Sequence, residues 1–292
     1  MLAELFAVMA PVFVGASLGF LWIRTGHDYP VEFVTKLVFN IGTPSLILAS
    51  LSGAEVDAGS FSRTMLGTLL VLVGMAALTF LVAPLLRKDW RVLLSPMMYP
   101  NTGNMGLPVV LYAFGSAGFA FAIAVMVTVS LMQFTFGTMM SSRSGRPLRA
   151  LVRTPNIYAI LIALTILLTD TTLPLWLNNT LDLMSGFTVP LMLITLGVSL
   201  GSIQVRNLRS GVSFSLIRTL AAALLASAIG YLLELPPLAH SILVLQMSMP
   251  IAVFNYLFAQ RAKREPAYVA SLVFCSTLLS FLYLPILLAY FM

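Results

Sequence analysis

Ser95-Pro-Met-Met-Tyr-Pro-Asn-Thr-Gly-Asn-Met-Gly-Leu-Pro108 lies between long apolar stretches, yet it does not read as one continuous helix. Each of Pro96, Pro100 and Pro108 removes a backbone donor and clashes with the preceding turn. Gly103 and Gly106 weaken the helix further. In hydrocarbon the freed amides and carbonyls are costly, and irregular backbone survives there only when buried in protein or lining a wet cavity. A lone proline usually just kinks a membrane helix, but here Asn101, Thr102 and Asn104 stand among the breakers. A second, milder interruption is Gln246-Met-Ser-Met-Pro250. Two interrupted spans in corresponding positions point to a transporter's binding site.

The surroundings of these segments define the class. Of 292 residues, 59% are hydrophobic and only 9% charged, against about a quarter charged in soluble domains. Thr64–Leu86, Phe119–Met140 and Ile157–Leu168 carry no charged side chain. Spans of about twenty residues are expected near 2–23, 33–52, 63–86, 91–114, 118–140, 154–170, 179–201, 211–233, 238–261 and 267–290. They fill the chain and leave no room for a soluble domain. Met1–Ile23 carries Glu4 and lacks a basic start, so it reads as a retained helix rather than a signal peptide.

Loop charge orients the spans. After odd-numbered spans come Arg24; Arg87, Lys88 and Arg91; Arg143, Arg146, Arg149 and Arg153; Arg206 and Arg209; and Arg261, Lys263 and Arg264. After even-numbered spans come Glu55, Asp57, Asp170, Asp182 and Glu234, with Arg63 the one base. Lys36 and Arg218 are assigned to the odd-loop ends of their spans. Basic loops stay cytoplasmic, so both termini are expected in the periplasm of a multi-pass bacterial inner-membrane protein.

Five spans followed by five makes the second half upside down relative to the first. The expected fold is therefore an all-α polytopic membrane protein, ten transmembrane helices as two inverted five-helix repeats. Residues 1–140 form the first repeat, 141–153 a basic cytoplasmic linker and 154–292 the second repeat. The pairs Pro11/Pro155, Pro30/Pro174, Pro44/Pro190 and Pro108/Pro250 recur at separations of 142 to 146 residues, in line with that division.

Pro100-Asn-Thr-Gly-Asn-Met-Gly-Leu-Pro108 resembles the fourth-helix signature of the auxin efflux carrier family, which includes the plant PIN carriers and bacterial carriers. Arg153-Thr-Pro-Asn-Ile-Tyr158 is similar to the start of its sixth helix. Gln246–Pro250 with Phe254–Ala259 is similar to its ninth. The long cytoplasmic loop of plant members is lacking. The resemblance implies a fold like the sodium–bile acid symporters, with broken fourth and ninth helices crossing at mid-membrane. It implies auxin-like monocarboxylates, or dicarboxylates such as malate or malonate, as substrates.

Helix starts near Met105–Pro108 and near Pro250 would present free N–H groups and partial positive charge to an anion without a buried lysine or arginine. The expected substrate-binding residues are Asn101, Thr102, Asn104, Met105, Pro108, Gln246, Met249 and Pro250. Thr43 and Ser45, flanking Pro44, would join them unless their hydroxyls return to their own helix. Asn40 and Asn255 are weaker candidates.

Other classes fit less well. A cation/proton antiporter would want carboxylates at the crossing, and an intramembrane enzyme would want a nucleophile–base pair or metal ligands. His27 and His240 lie at span ends, and Cys275 reads as a buried helix residue. No catalytic residue, cofactor, metal or nucleic-acid partner is expected; the partners are a small organic anion and the lipid bilayer. Coupling stays open between a proton, a sodium ion and none, as does a receptor that does not transport. Gly15-x-x-x-Gly19 and Gly197-x-x-x-Gly201 permit close helix approach, inside the chain or in a homodimer, with internal packing the expectation.

Overall fold

The computed structural model describes residues 2–51, 57–141, 155–169, 171–203 and 208–292. The linker arginines, Glu55, Asp170 and Arg206 lie outside the described residues. The described chain is all helical apart from one isolated antiparallel bridge, Pro100 to Ile251. Among the described residues seven helices are long and apolar enough to cross a membrane: Ala3–Arg24, Val31–Ser50, Ala58–Leu85, Thr102–Gln133, Leu175–Ser202, Leu208–Leu232 and Pro266–Phe291.

In chain order the α-helices are α1 Leu2–Arg24, α2 Val31–Leu37, α3 Thr43–Leu51, α4 Ala58–Leu85, α5 Trp90–Met98, α6 Leu107–Ser141 and α7 Pro155–Leu168. They continue as α8 Leu175–Gly186, α9 Thr188–Ser202, α10 Leu208–Leu232, α11 Pro237–Met247, α12 Phe254–Ala262 and α13 Pro266–Phe291. Local chemistry sets several boundaries. Pro44 cannot donate to Asn40, and the chain answers with a π turn at Val38–Gly42 in which the Thr43 N–H reaches back to the Val38 carbonyl. Asp57 caps α4 by accepting from the Ser60 N–H at 2.7 Å, and this bond holds its carboxyl below the usual range. α6 is two helices joined at a sharp kink at Gly115, whose φ of 61° suits glycine; the kink falls between the expected fourth and fifth spans.

Large apolar side chains also cover the outside of the helices. Phe6, Leu81, Leu224, Leu282 and Ile286 are all exposed on helices, as lipid-facing residues are. Hydroxyls in the spans mostly return to their own helix: Thr64, Thr68, Thr79 and Thr128 each donate to the carbonyl four residues back.

Packing divides the helices into two bundles. In one, α1 packs on α9, and α3 on α7 and α8. In the other, α4 packs on α5, α6, α10 and α11, while α13 packs on α10 and α12. The glycine motifs of α1 and α9 mate with each other. A Cβ on Gly19 would stand 2.0 Å from the Ile194 carbonyl oxygen, and one on Gly197 would stand 1.8 Å from that of Ala16. These helices touch backbone to backbone, the internal packing expected of such motifs.

Candidate functional site

The two interruptions lie side by side. α5 ends at Met98, and an extended Tyr99, the bridged Pro100 and Asn101 precede a π turn at Thr102–Gly106 that leads into α6. α11 ends at Met247, and α12 begins only at Phe254. The Asn101 N–H donates to the Pro250 carbonyl at 2.7 Å, and the Ala252 N–H donates to the Tyr99 carbonyl at 3.2 Å. These bonds flank the Pro100–Ile251 bridge, so each broken segment satisfies part of the other's backbone. Pro250 therefore belongs to the extended link, whereas Pro108 is already the second residue of α6; the two are not in matching places.

Side chains complete the junction. Asn255 Nδ2 donates to the Tyr99 carbonyl at 3.0 Å and to that of Ala252 at 2.9 Å, while its Oδ1 accepts from Ser95 Oγ. Ser276 Oγ accepts from the Ile251 N–H at 3.0 Å, and the Tyr283 hydroxyl donates to the Ser248 carbonyl at 2.7 Å. Arg218 is fully buried, and its Nη1 donates to the Met249 carbonyl. This corrects its assignment to a loop end. It is the eleventh residue of α10, so about 15 Å of helix precedes it. An interior free of basic side chains is thus not what the fold builds.

The expected site residues separate into two groups. Asn101, Thr102, Met105, Pro108, Gln246, Met249 and Pro250 are all buried at or beside the junction, with Asn104 half-buried. A Cβ on Gly106 would stand 2.1 Å from Gln246 Oε1, so the carboxamide lies directly on the π turn. Both polar atoms of Gln246, Asn101 Nδ2, Ser248 Oγ and the Nε and Nη2 of Arg218 are buried without a hydrogen-bond partner. Thr43 and Ser45 belong to the other bundle, and among the described residues no hydrogen bond joins them to the junction. Ser45 Oγ returns to the Ile41 carbonyl at 2.9 Å, whereas Thr43 Oγ1 has no partner. Asn40 likewise returns to Lys36.

The ninth-span helix start differs from expectation. α12 begins four residues after Pro250, and the N–H groups of Ile251, Ala252, Asn255 and Tyr256 already have acceptors. Side-chain donors at that interruption are Gln246 Nε2 and the Nε and Nη2 of Arg218. The π turn of the fourth span packs on α9, so the junction sits where the two bundles meet. Next to it a cleft of about 30 Å³ between α5 and α12 is lined by Tyr99, Ser95 and Asn255, with an exposed Arg91 and a half-buried Arg264 beside them.

Asn255 and Arg218 are the residues that sequence reading undervalued. Arg218 was the eighth residue of its expected span, with Ser215 three residues before it on the same helical face; that interior position was its signal. For Ser276 and Tyr283 no sequence signal existed.

A multi-pass membrane protein whose interrupted spans pair over buried, unpartnered amides has the build of a transporter. The sequence profile of the family described as Membrane transport protein matches residues 139–288. An "uncharacterized transporter" of Methanothermobacter thermautotrophicus is 30% identical over 295 residues, covering 96% of this chain and 95% of that protein. Another, from Methanocaldococcus jannaschii, is 25% identical over 194 residues, covering 63% of each. The chain belongs to the auxin efflux carrier family of membrane transport proteins.

Proposed function

We propose that this protein carries a small organic anion, an auxin-like monocarboxylate or a dicarboxylate such as malate or malonate, by alternating access. The supporting observation is the reciprocal pairing of Tyr99–Asn101 with Pro250–Ala252, beside which Asn101 and Gln246 keep buried amide donors without acceptors. Leaving a buried amide unsatisfied costs about 1–3 kcal/mol, a cost that a bound carboxylate would remove.

In this reading ten spans form two inverted repeats, 1–140 and 154–292, crossing at the Pro100–Ile251 bridge. The packing supports it: exchanging the halves turns the α1–α9 contact into the contact of α7 with α3. The bundle with α3 and α9 is the scaffold, and the bundle with the paired interruptions moves against it. The arginine-rich side faces the cytoplasm, with both termini outside, and Arg91 and Arg264 draw anions to the inner cleft.

A thermal-shift screen of the purified protein against small mono- and dicarboxylates, followed by uptake of the best binder into proteoliposomes, tests this. Stabilisation by at least one carboxylate and saturable uptake are expected. Stabilisation without uptake would make the protein a receptor, and stabilisation only by neutral solutes would overturn the anion.

A further inference from the structure

The geometry points to Arg218 as the residue that grips the substrate's carboxylate. This inference rests on the anion-carrier reading and adds what composition alone does not contain, a fixed positive charge in the membrane interior.

The guanidinium has two usable edges. Nη1 is taken by the Met249 carbonyl in the interruption between α11 and α12. Nε and Nη2 are buried and have no acceptor. Those two nitrogens share one edge of the guanidinium plane, and their parallel N–H bonds match the two oxygens of a carboxylate. Among the described residues no carboxylate lies within ion-pair distance of Arg218; the ion pairs there are Lys36–Glu32 and Lys88–Glu265, both with exposed or half-exposed partners.

A charge taken wholly out of water is costly unless it is paired and hydrogen-bonded. The single bond to Met249 pairs one edge and leaves the charge uncompensated. A carboxylate on the other edge supplies the missing anion, and Ser248 Oγ, one residue from Met249, is a further buried group without a partner. The ligand class is therefore a molecule with a planar two-oxygen anionic end: a monocarboxylate, or one end of a dicarboxylate. Because the other edge of the guanidinium holds Met249, occupancy of the fork is transmitted directly to the α11–α12 break. Arg218 is fully enclosed here, so the carboxylate reaches it only after the packing around the break opens.

A purely structural strut makes a different prediction, since a lysine ammonium can also donate to the Met249 carbonyl but has no fork. Wild type, Arg218→Lys and Arg218→Gln are purified in detergent and tested with malonate and acetate at constant ionic strength, with malonamide and acetamide as neutral counterparts. Wild type should be stabilised by a carboxylate and not by its amide. Both variants, at unchanged helical content by circular dichroism, should bind that carboxylate about tenfold more weakly or worse. Wild-type affinity in Arg218→Lys would reduce the arginine to a strut and overturn the inference while leaving the carrier reading intact. A wild type that ignores carboxylates in general would overturn both. Should the variants not fold, hydrogen exchange on the wild type reads the same contact. Malonate or acetate, whichever binds, should protect the α10 segment around Arg218 together with Ser248–Ile251; protection confined to other segments would overturn it.

Discussion

Between Tyr99 and Gly106 the chain supplies most of its own remedies for a broken helix. The Asn101 carbonyl accepts from the Gly106 N–H at 3.0 Å, closing a wide π turn, and α6 resumes at once. Between Ser248 and Val253 the remedies come from elsewhere: Arg218 on α10 holds Met249, and Ser276 and Tyr283 on α13 hold Ile251 and Ser248. A break rich in glycine, proline and asparagine can fold around itself. One with few such residues has to be held by its neighbours, so its stability is spread over residues that no local motif contains.

Asn255 tests the comparison hardest, because its side chain bonds to both breaks. Asn255→Ala removes three hydrogen bonds and should cost about 2–4 kcal/mol in detergent-solubilised unfolding. A loss no larger than that of a surface substitution would mean the two segments are held by other means. Tyr283→Phe sharpens the claim that the ninth-span break depends on its neighbours. Removing its bond to the Ser248 carbonyl should cost about 1 kcal/mol and raise hydrogen exchange at Ser248–Val253 but not at Thr102–Gly106. Equal loosening of both would erase the distinction. The smallest effect is expected at Pro100. Pro100→Ala should change stability by about 1 kcal/mol or less, through unfolded-chain entropy, because the flanking bonds at Tyr99 and Asn101 remain. A large loss would show that the proline itself imposes the break.

The same contrast explains what could be read from sequence. The fourth-span motif was legible because its cause is local: three prolines and two glycines, with Asn101, Thr102 and Asn104 among them, in fourteen residues. Pro30 and Pro174 are N-caps of α2 and α8, and Pro44 and Pro190 each follow an irregular turn, so helix entries were legible too. Arg218 was missed, since charge counting credited it to the nearest loop although its position in the span carried its depth. The kink at Gly115 falls between the spans expected at 91–114 and 118–140, so that boundary was legible as well.

Asn101 joins both sides of this account, because its backbone pairs with Pro250 while its Nδ2 is buried and unpartnered. The most direct measurement compares the affinity of Asn101→Ala and Asn101→Asp for the carboxylate that stabilises the wild type, at a pH where the aspartate is ionised. Alanine should lose one charge-assisted hydrogen bond, about 1.5–3 kcal/mol or roughly ten- to a hundred-fold in affinity. Aspartate keeps the size but sets a negative charge against the anion, so it should bind more weakly still. An aspartate variant that is folded and binds the carboxylate as well as the wild type would contradict an anion site at the paired interruptions.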